Sequence, residues 1–148
     1  MKLSNEYVRG LVDGEGCFTF TTTKSKTKAG IITRKIPAFS IAMNERDKEL
    51  IEGVRDHLGI KNRVYLQSPY LGDGYNRGKR VMLIVREFPS LKNIIVPFFY
   101  KKLKGNKARQ FENWIFKIGD DPAVPSSFKL ISRLYTSGYW DKNPKYRD

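Results

Sequence analysis

One cysteine, Cys17, and one histidine, His57, are all that this 148-residue chain offers toward disulfide or soft-metal chemistry. A single thiol excludes an internal disulfide framework and every Cys-rich zinc site. A single imidazole excludes His-cluster metal centres and gives a histidine-centred nucleophilic triad little support. Long apolar runs are missing too: no stretch approaches 18 apolar residues, and the amino terminus is polar from Lys2 to Glu6, without a signal-peptide core. The expectation is a soluble, intracellular protein with no membrane partner. Acidic residues are the third shortage, 15 Asp+Glu against 28 Lys+Arg, which leaves a formal net charge of +13. What is present is a core: 40% hydrophobic residues and 13% aromatics argue against a disordered basic tail. A folded domain with this charge has a polyanion, and first of all nucleic acid, as its default partner. Any chemistry must rest on carboxylates, lysines or hydroxyls.

Ser4 as N-cap, Glu6 in the first turn and Tyr7, Val8, Leu11 and Val12 at helical spacing predict a short helix from Ser4 to Gly14, stopped by Gly14-Glu15-Gly16. The following Cys17 to Thr23 reads as a strand, with Phe18 and Phe20 facing a core and Cys17, Thr19, Thr21 and Thr23 facing away. Residues 24 to 33 read as a mobile basic loop before a second strand from about Arg34 to Met43. Asn44 and Asp47 resemble a capping box for a helix that closes at Gly59. A second hairpin is expected over Asn62 to Ser68 and Lys79 to Arg86, joined by the turn-rich 72–78 segment. Its first arm sets Val64 and Leu66 against Arg63, Tyr65 and Gln67, while the second is too apolar throughout to orient. Helices follow, from Leu91 to Val96 up to a break at Pro97, from Asn106 to Ile118 and from Ser126 to Tyr135, before a polar carboxyl tail.

The resulting order, αββαββ plus further helices, predicts an α+β domain whose antiparallel sheet is covered on one side. An uncovered sheet face with polar tips is ordinarily just solvated, but the positive charge points this one toward nucleic acid. Strands of about 8 residues at ~3.3 Å each reach as far as about 8 base pairs, so a curved sheet fits along a major groove. The candidate contacts are Thr19, Thr21, Thr23, Lys24, Arg34, Ser40, Arg63, Tyr65, Gln67 and Arg80. His57 and Cys17 read as packing residues.

The segment Tyr7-Val8-Arg9-Gly10-Leu11-Val12-Asp13-Gly14-Glu15-Gly16-Cys17-Phe18 resembles the LAGLIDADG motif of homing endonucleases in its Gly-Glu-Gly form. The element order agrees with that family's fold as far as Ile118. One domain is expected over residues 1–148, with its core at about 4–118 and an extension over 119–148. Gly10 and Gly14 lie four apart on one helical face, where a second helix can approach closely. With one copy of the motif, that helix is expected from an identical chain, in a twofold homodimer with Val8, Gly10, Leu11 and Gly14 at the interface.

The resemblance implies a site-specific endonuclease that hydrolyses double-stranded DNA at a long, near-palindromic target of about 16 to 20 base pairs, two sheets covering about 8 each. It implies Glu15 as catalytic metal ligand, with the carbonyl of Gly14 beside it, and Asp13 as a structural acceptor at the helix end. Oxygen ligands suit Mg²⁺; Mn²⁺ is an expected substitute, and Ca²⁺ is expected to bind without efficient cleavage. A basic catalytic residue is implied on a segment resembling Pro97 to Leu103, with Lys102 the best match and Lys101 the fallback. Two positions depart from the family pattern. Met43 stands where a water-ordering polar residue is common, leaving Asn44 or Arg46 as candidates, and Arg9 stands at a position that is usually small. The resemblance places the protein in intron or intein mobility, and the chain's own Met1 favours an intron-encoded form. The expected compartment is a chloroplast, a mitochondrion or a bacterial or archaeal cytoplasm. Two other readings share the fold: an intron RNA maturase and a non-cleaving DNA-binding regulator.

Overall fold

A computed structural model describes residues 1–69, 71–75 and 78–146. Helix α1 (Asn5–Glu15) begins where the Ser4 side chain accepts a hydrogen bond from the Tyr7 N–H at 3.1 Å. It runs through Gly14 and ends only at Gly16, one step later than the sequence suggests. A Cβ at Gly16 would lie 2.5 Å from the Val12 side chain and 2.9 Å from its carbonyl oxygen, so no larger residue fits where helix becomes strand.

Strands β1 (Gly16–Thr27) and β2 (Gly30–Asn44) form one continuous hairpin. The expected mobile loop over 24–33 is therefore mostly paired strand, from Lys24↔Thr33 out to Thr27↔Gly30. The β-branched residues Thr27, Ile31, Ile32 and Thr33 favour extended backbone despite the lysines between them. Gly30 takes the φ of +115° that the tight turn demands. The Thr27 hydroxyl seals the turn by donating to the Gly30 carbonyl at 2.9 Å.

After a 3-10 turn (Glu45–Asp47), opened by the Asn44 side chain accepting from the Arg46 N–H at 3.0 Å, helix α2 (Lys48–Leu58) closes at Gly59 in the left-handed region. Strands β3 (Val64–Gln67) and β4 (Arg80–Val85) complete an antiparallel sheet of order β1-β2-β4-β3. Asn76 and Arg77, part of the expected turn between them, lie outside the described residues. The register settles the face of β4: Val81, Leu83 and Val85 pair with Met43, Ile41 and Phe39 on the core side, leaving Arg80, Met82 and Ile84 on the other.

Pro97 does not break the next helix. Helical backbone runs through α3 (Phe88–Ser90), a π-helical turn (Leu91–Ile95) and α4 (Val96–Phe99), with the Val96 N–H reaching back five residues to the Leu91 carbonyl. The wider turn relieves the clash a proline ring makes with the carbonyl four residues earlier. Helix α5 (Asn106–Asp120) packs across β1, and the Phe18 ring sits at the centre of the core, 5.0 to 5.8 Å from Phe39, Phe99, Phe111 and Trp114. Helices α1, α2 and α5 thus pack against the core side of the sheet.

The carboxyl-terminal segment is packed rather than a polar tail. The Lys35 N–H donates to the Ala123 carbonyl at 3.0 Å, extending pairing beyond β4 along the edge of β2. After a 3-10 turn (Ser126–Phe128) come α6 (Lys129–Thr136) and α7 (Tyr139–Lys142), and the latter buries Trp140. The Tyr146 ring meets Phe98 edge-on at 5.0 Å.

Candidate active site and nucleic-acid interface

Two carboxylates at the foot of α1 have separate fates. Asp13 points into the chain and accepts hydrogen bonds from the N–H groups of Lys104 and Gly105 at 3.1 Å, fixing the residues that lead into α5. Its oxygens serve the fold. Glu15, the last residue of α1, is exposed and borders an open groove of about 830 Å³ shared with Met43, Asn44, Arg46, Asp47, Gln67 and Arg80. The end of β2 and the 3-10 turn after it thus bring both water-ordering candidates, Asn44 and Arg46, to the same groove. The end of β3 and the start of β4 add Gln67 and Arg80, which the sequence suggested only as base contacts.

The basic residues sort differently from the sequence expectation. Lys101 sits at φ +56° and forms an ion pair with Asp141 at 3.0 Å. Lys102 is half-buried and borders a recess with Glu6, Arg9, Gly10 and Lys104 beside α1, not the Glu15 groove. Lys107, in the first turn of α5, also reaches the motif: its ammonium donates to the carbonyl of Gly16, though it does not line the Glu15 groove either. Sequence reasoning missed it. A usable signal existed in the helical spacing of Lys107, Gln110 and Trp114: Gln110 accepts from the Phe18 N–H at 3.2 Å and the Trp114 indole donates to the Thr19 carbonyl at 2.7 Å. One face of α5 therefore clasps the start of β1, an edge strand whose outer side has no neighbouring strand to pair with.

On the sheet side that the helices leave open, the register aligns Gln67 with Arg80 and Asn44, Tyr65 with Met82 and Ala42, and Cys17 with Ser40 and Ile84. Further out, Thr19 faces Ala38, Thr21 faces Ile36 and Thr23 faces Arg34. Thr19, Thr23, Arg34, Tyr65, Gln67 and Arg80 are exposed on this face and Thr21 is half-buried there, while Ser40 lies buried beneath its neighbours. Arg63 flanks it, its guanidinium 5.8 Å from the Tyr65 ring centre. Lys24 is exposed but follows Thr23 in the strand, so alternation turns it to the opposite side. The Arg80 guanidinium donates to the Ala42 carbonyl at 2.9 Å, which holds it over the sheet.

The outer side of α1 presents Tyr7, Gly10, Leu11 and Gly14, a stripe at helical spacing with Tyr7 49% exposed. Val8, expected on that stripe, is fully buried in the chain's own core. Arg9 is likewise turned inward: it donates to the Phe98 carbonyl at 2.9 Å and lies 4.5 Å from that ring's centre. His57 is engaged with Asn5 at 2.7 Å.

Among the described residues no three His, Cys, Asp or Glu side chains come together to bind a metal. One chain offers in this groove the exposed Glu15 carboxylate at a helix C-terminus, where backbone carbonyls carry partial negative charge, and the half-buried Asp47. That donor set is too small for a closed protein cage. It fits a hard cation that keeps most of its waters and takes one or two carboxylates.

An α+β domain with one helix-covered face, an open basic sheet and an acidic helix end beside it defines a nuclease-like DNA-binding architecture. The sequence model of the LAGLIDADG endonucleases matches residues 8–117, and the chain belongs to that family of site-specific DNA endonucleases. The crystal structure of the homing endonuclease I-TnaI is similar at 27% identity and a TM-score of 0.62, over 94% of this chain and 88% of that one. I-LtrWI bound to its target DNA is 26% identical with a TM-score of 0.63, over 89% of this chain and 44% of that one. The meganuclease I-SmaMI bound to uncleavable DNA is also 26% identical with a TM-score of 0.63, and this chain spans 44% of its length. No curated protein matches the chain. Among the described residues no helix is long and apolar enough to cross a membrane.

Proposed function

We propose that the chain works as a homodimer that cuts both strands of a long, near-palindromic duplex, with Mg²⁺ held at the Glu15 carboxylates of two α1 helices. The observation that carries this reading is the position of Glu15, exposed at the end of α1 and opening on the groove that leads into the sheet face.

The stripe on α1 supports the dimer. A glycine inside a helix costs about 1 kcal/mol relative to alanine. At Gly10 and at Gly14 a Cβ would meet nothing of the chain itself within 4 Å. Packing within one chain therefore gives no reason for either glycine, whereas close approach of a second α1 does. A twofold axis along that stripe pairs residue with residue and sets two Glu15 side chains at its foot, one for each DNA strand.

Glu15 and the Gly14 carbonyl would hold the cation, with waters completing its shell. Bound there, Mg²⁺ supplies charge for the phosphodiester oxygens and lowers the pKa of an attacking water. The Lys107 ammonium, fastened to Gly16, places a fixed positive charge one residue from Glu15, where phosphorane charge develops. Asn44, Gln67 and Arg80 border the same groove and orient water and phosphate by hydrogen bonding.

Digestion of a randomised duplex library in Mg²⁺ and in Ca²⁺, with sedimentation of the same protein, tests the proposal. Expected are palindromic double-strand products in Mg²⁺, retained but intact DNA in Ca²⁺, and a dimer at micromolar concentration. A strict monomer that cuts both strands would remove the twofold arrangement, and undiminished cutting in chelator would remove the metal.

A further inference from the structure

The open face of the sheet changes chemistry along its length, and the strand register turns that change into an order along a bound groove. At the end of the paired strands that borders the Glu15 groove stands the row Gln67, Arg80 and Asn44, all amide or guanidinium groups. The next rows outward are Tyr65, Met82 and Ala42, then Ile84, Ser40 and Cys17, then Ala38 with Thr19, then Ile36 with Thr21. Arg34, beside Thr23, restores a charged group on β2. Within the paired strands, this face carries no Arg, Lys, Asn or Gln between the Arg80 and Arg34 rows. Arg63 and Arg86 lie beyond the paired ends of β3 and β4.

Side chains without an amide or guanidinium head cannot make the bidentate hydrogen bonds that single out guanine or adenine. Ile36, Ala42, Met82 and Ile84 are half-buried rather than hidden, and their outward surfaces are methyl and methylene groups, as is part of Thr19. The major groove offers them one apolar feature, the C5-methyl of thymine. From the Ala42 row to the Ile36 row the strand covers about 20 Å at ~3.3 Å per residue, the length of about six base pairs at ~3.4 Å.

Resting on the reading of this face as the DNA surface, we infer that each half-site holds a block of about four to six base pairs rich in thymine on either strand. The protein reads that block by methyl contact. It lies between the Arg80, Gln67 and Asn44 row that borders the Glu15 groove and a guanine contacted by Arg34 further out. Specificity for thymine here comes from the missing methyl of cytosine and the missing apolar edge of the purines.

The full chain is selected against a randomised duplex library in Ca²⁺, and the best duplex is remade with deoxyuridine for thymidine, which removes the C5-methyl groups alone. Expected is thymine enrichment in the block and at least ten-fold weaker binding when the block carries uracil. Uracil in the flanks should change binding by less than two-fold. Met82→Gln should make uracil silent at the position Met82 covers while leaving its effect at the Ile36 end. Selection of a block without thymine, or equal affinity for thymine and uracil in it, overturns the inference while the DNA-binding reading stands. Failure to retain any duplex overturns both.

Discussion

The ammonium of Lys107 donates to the carbonyl of Gly16, so the first turn of α5 is fastened to the residue that follows Glu15. Lys102, by contrast, faces the recess beside Glu6, Arg9 and Lys104. Loss of a positive group at the reacting phosphate typically costs about 10²-fold to 10³-fold in rate. Lys107→Met should lower the single-turnover cleavage rate by about 10²-fold with duplex binding nearly unchanged, and Lys107→Arg should restore part of it. Lys102→Met should cut close to normally. Cleavage kinetics on one duplex for all three variants decides between the two lysines, and a larger loss at Lys102 would reverse the assignment.

Glu15 is exposed, and no hydrogen bond or ion pair of its side chain is found among the described residues. Glu15→Gln should therefore abolish cleavage and keep the groove face intact. Binding by this variant should still fall steeply with salt, because a protein that neutralises six or more phosphates loses about 10³-fold or more in affinity between 50 and 200 mM salt. Filter binding across a salt series checks both halves. A flat profile would contradict recognition of a polyanion by a chain of net charge +13.

Two lowered carboxylates add to the apolar docking of the carboxyl-terminal segment, which buries Val124, Phe128, Ile131 and Trp140. The Lys101 ammonium at 3.0 Å, and then the Tyr100 hydroxyl, hold Asp141 below the ordinary carboxylate range. The Ala123 N–H, and then Lys35, do the same for Asp121. A carboxylate lowered in the folded state stabilises above its unfolded value of about 3.9, and loses that contribution as pH falls through the lower folded value. Acid should therefore loosen this segment below about pH 4, seen as a red shift of tryptophan emission as Trp140 is uncovered. The double variant Asp121→Asn, Asp141→Asn should show a shallower acid transition, and an identical transition would locate the acid sensitivity elsewhere.

Local signals carried much of the fold. Ser4, Asn44 and Gly59 mark helix ends by their side chains or their backbone freedom, and each stands at the boundary its chemistry predicts. Phe18 and Phe39 were legible as core residues because alternation in a strand is itself local. Composition misled at the hairpin tip, where lysines among Thr27, Ile31 and Ile32 suggested a loop although β-branched backbone preference prevailed. Pro97 misled for a related reason: the π-helical turn that accommodates it leaves no mark in the sequence. The motif made Glu15 visible. Lys107 was harder to see: the spacing of Lys107, Gln110 and Trp114 marks one face of α5, but its partner is a backbone carbonyl 91 positions away, which spacing alone does not identify. Val8 and Tyr7 are adjacent, and only packing decided which of them faces out.

That last distinction gives the sharpest test of the homodimer. Gly10 and Gly14 lie on the same outward stripe as Tyr7 and Leu11, and a side chain at either glycine has open space around it in the single chain. Alanine at each removes the helical penalty of glycine, about 1 kcal/mol, so Gly10→Ala and Gly14→Ala should raise the melting temperature of the isolated monomer. If two α1 helices cross at these positions, a larger side chain must separate them. Gly10→Leu should then give a chain that is folded by circular dichroism, sediments as a monomer at micromolar concentration and fails to break both strands. A stable dimer with unchanged double-strand cleavage in that variant would place the interface somewhere other than α1.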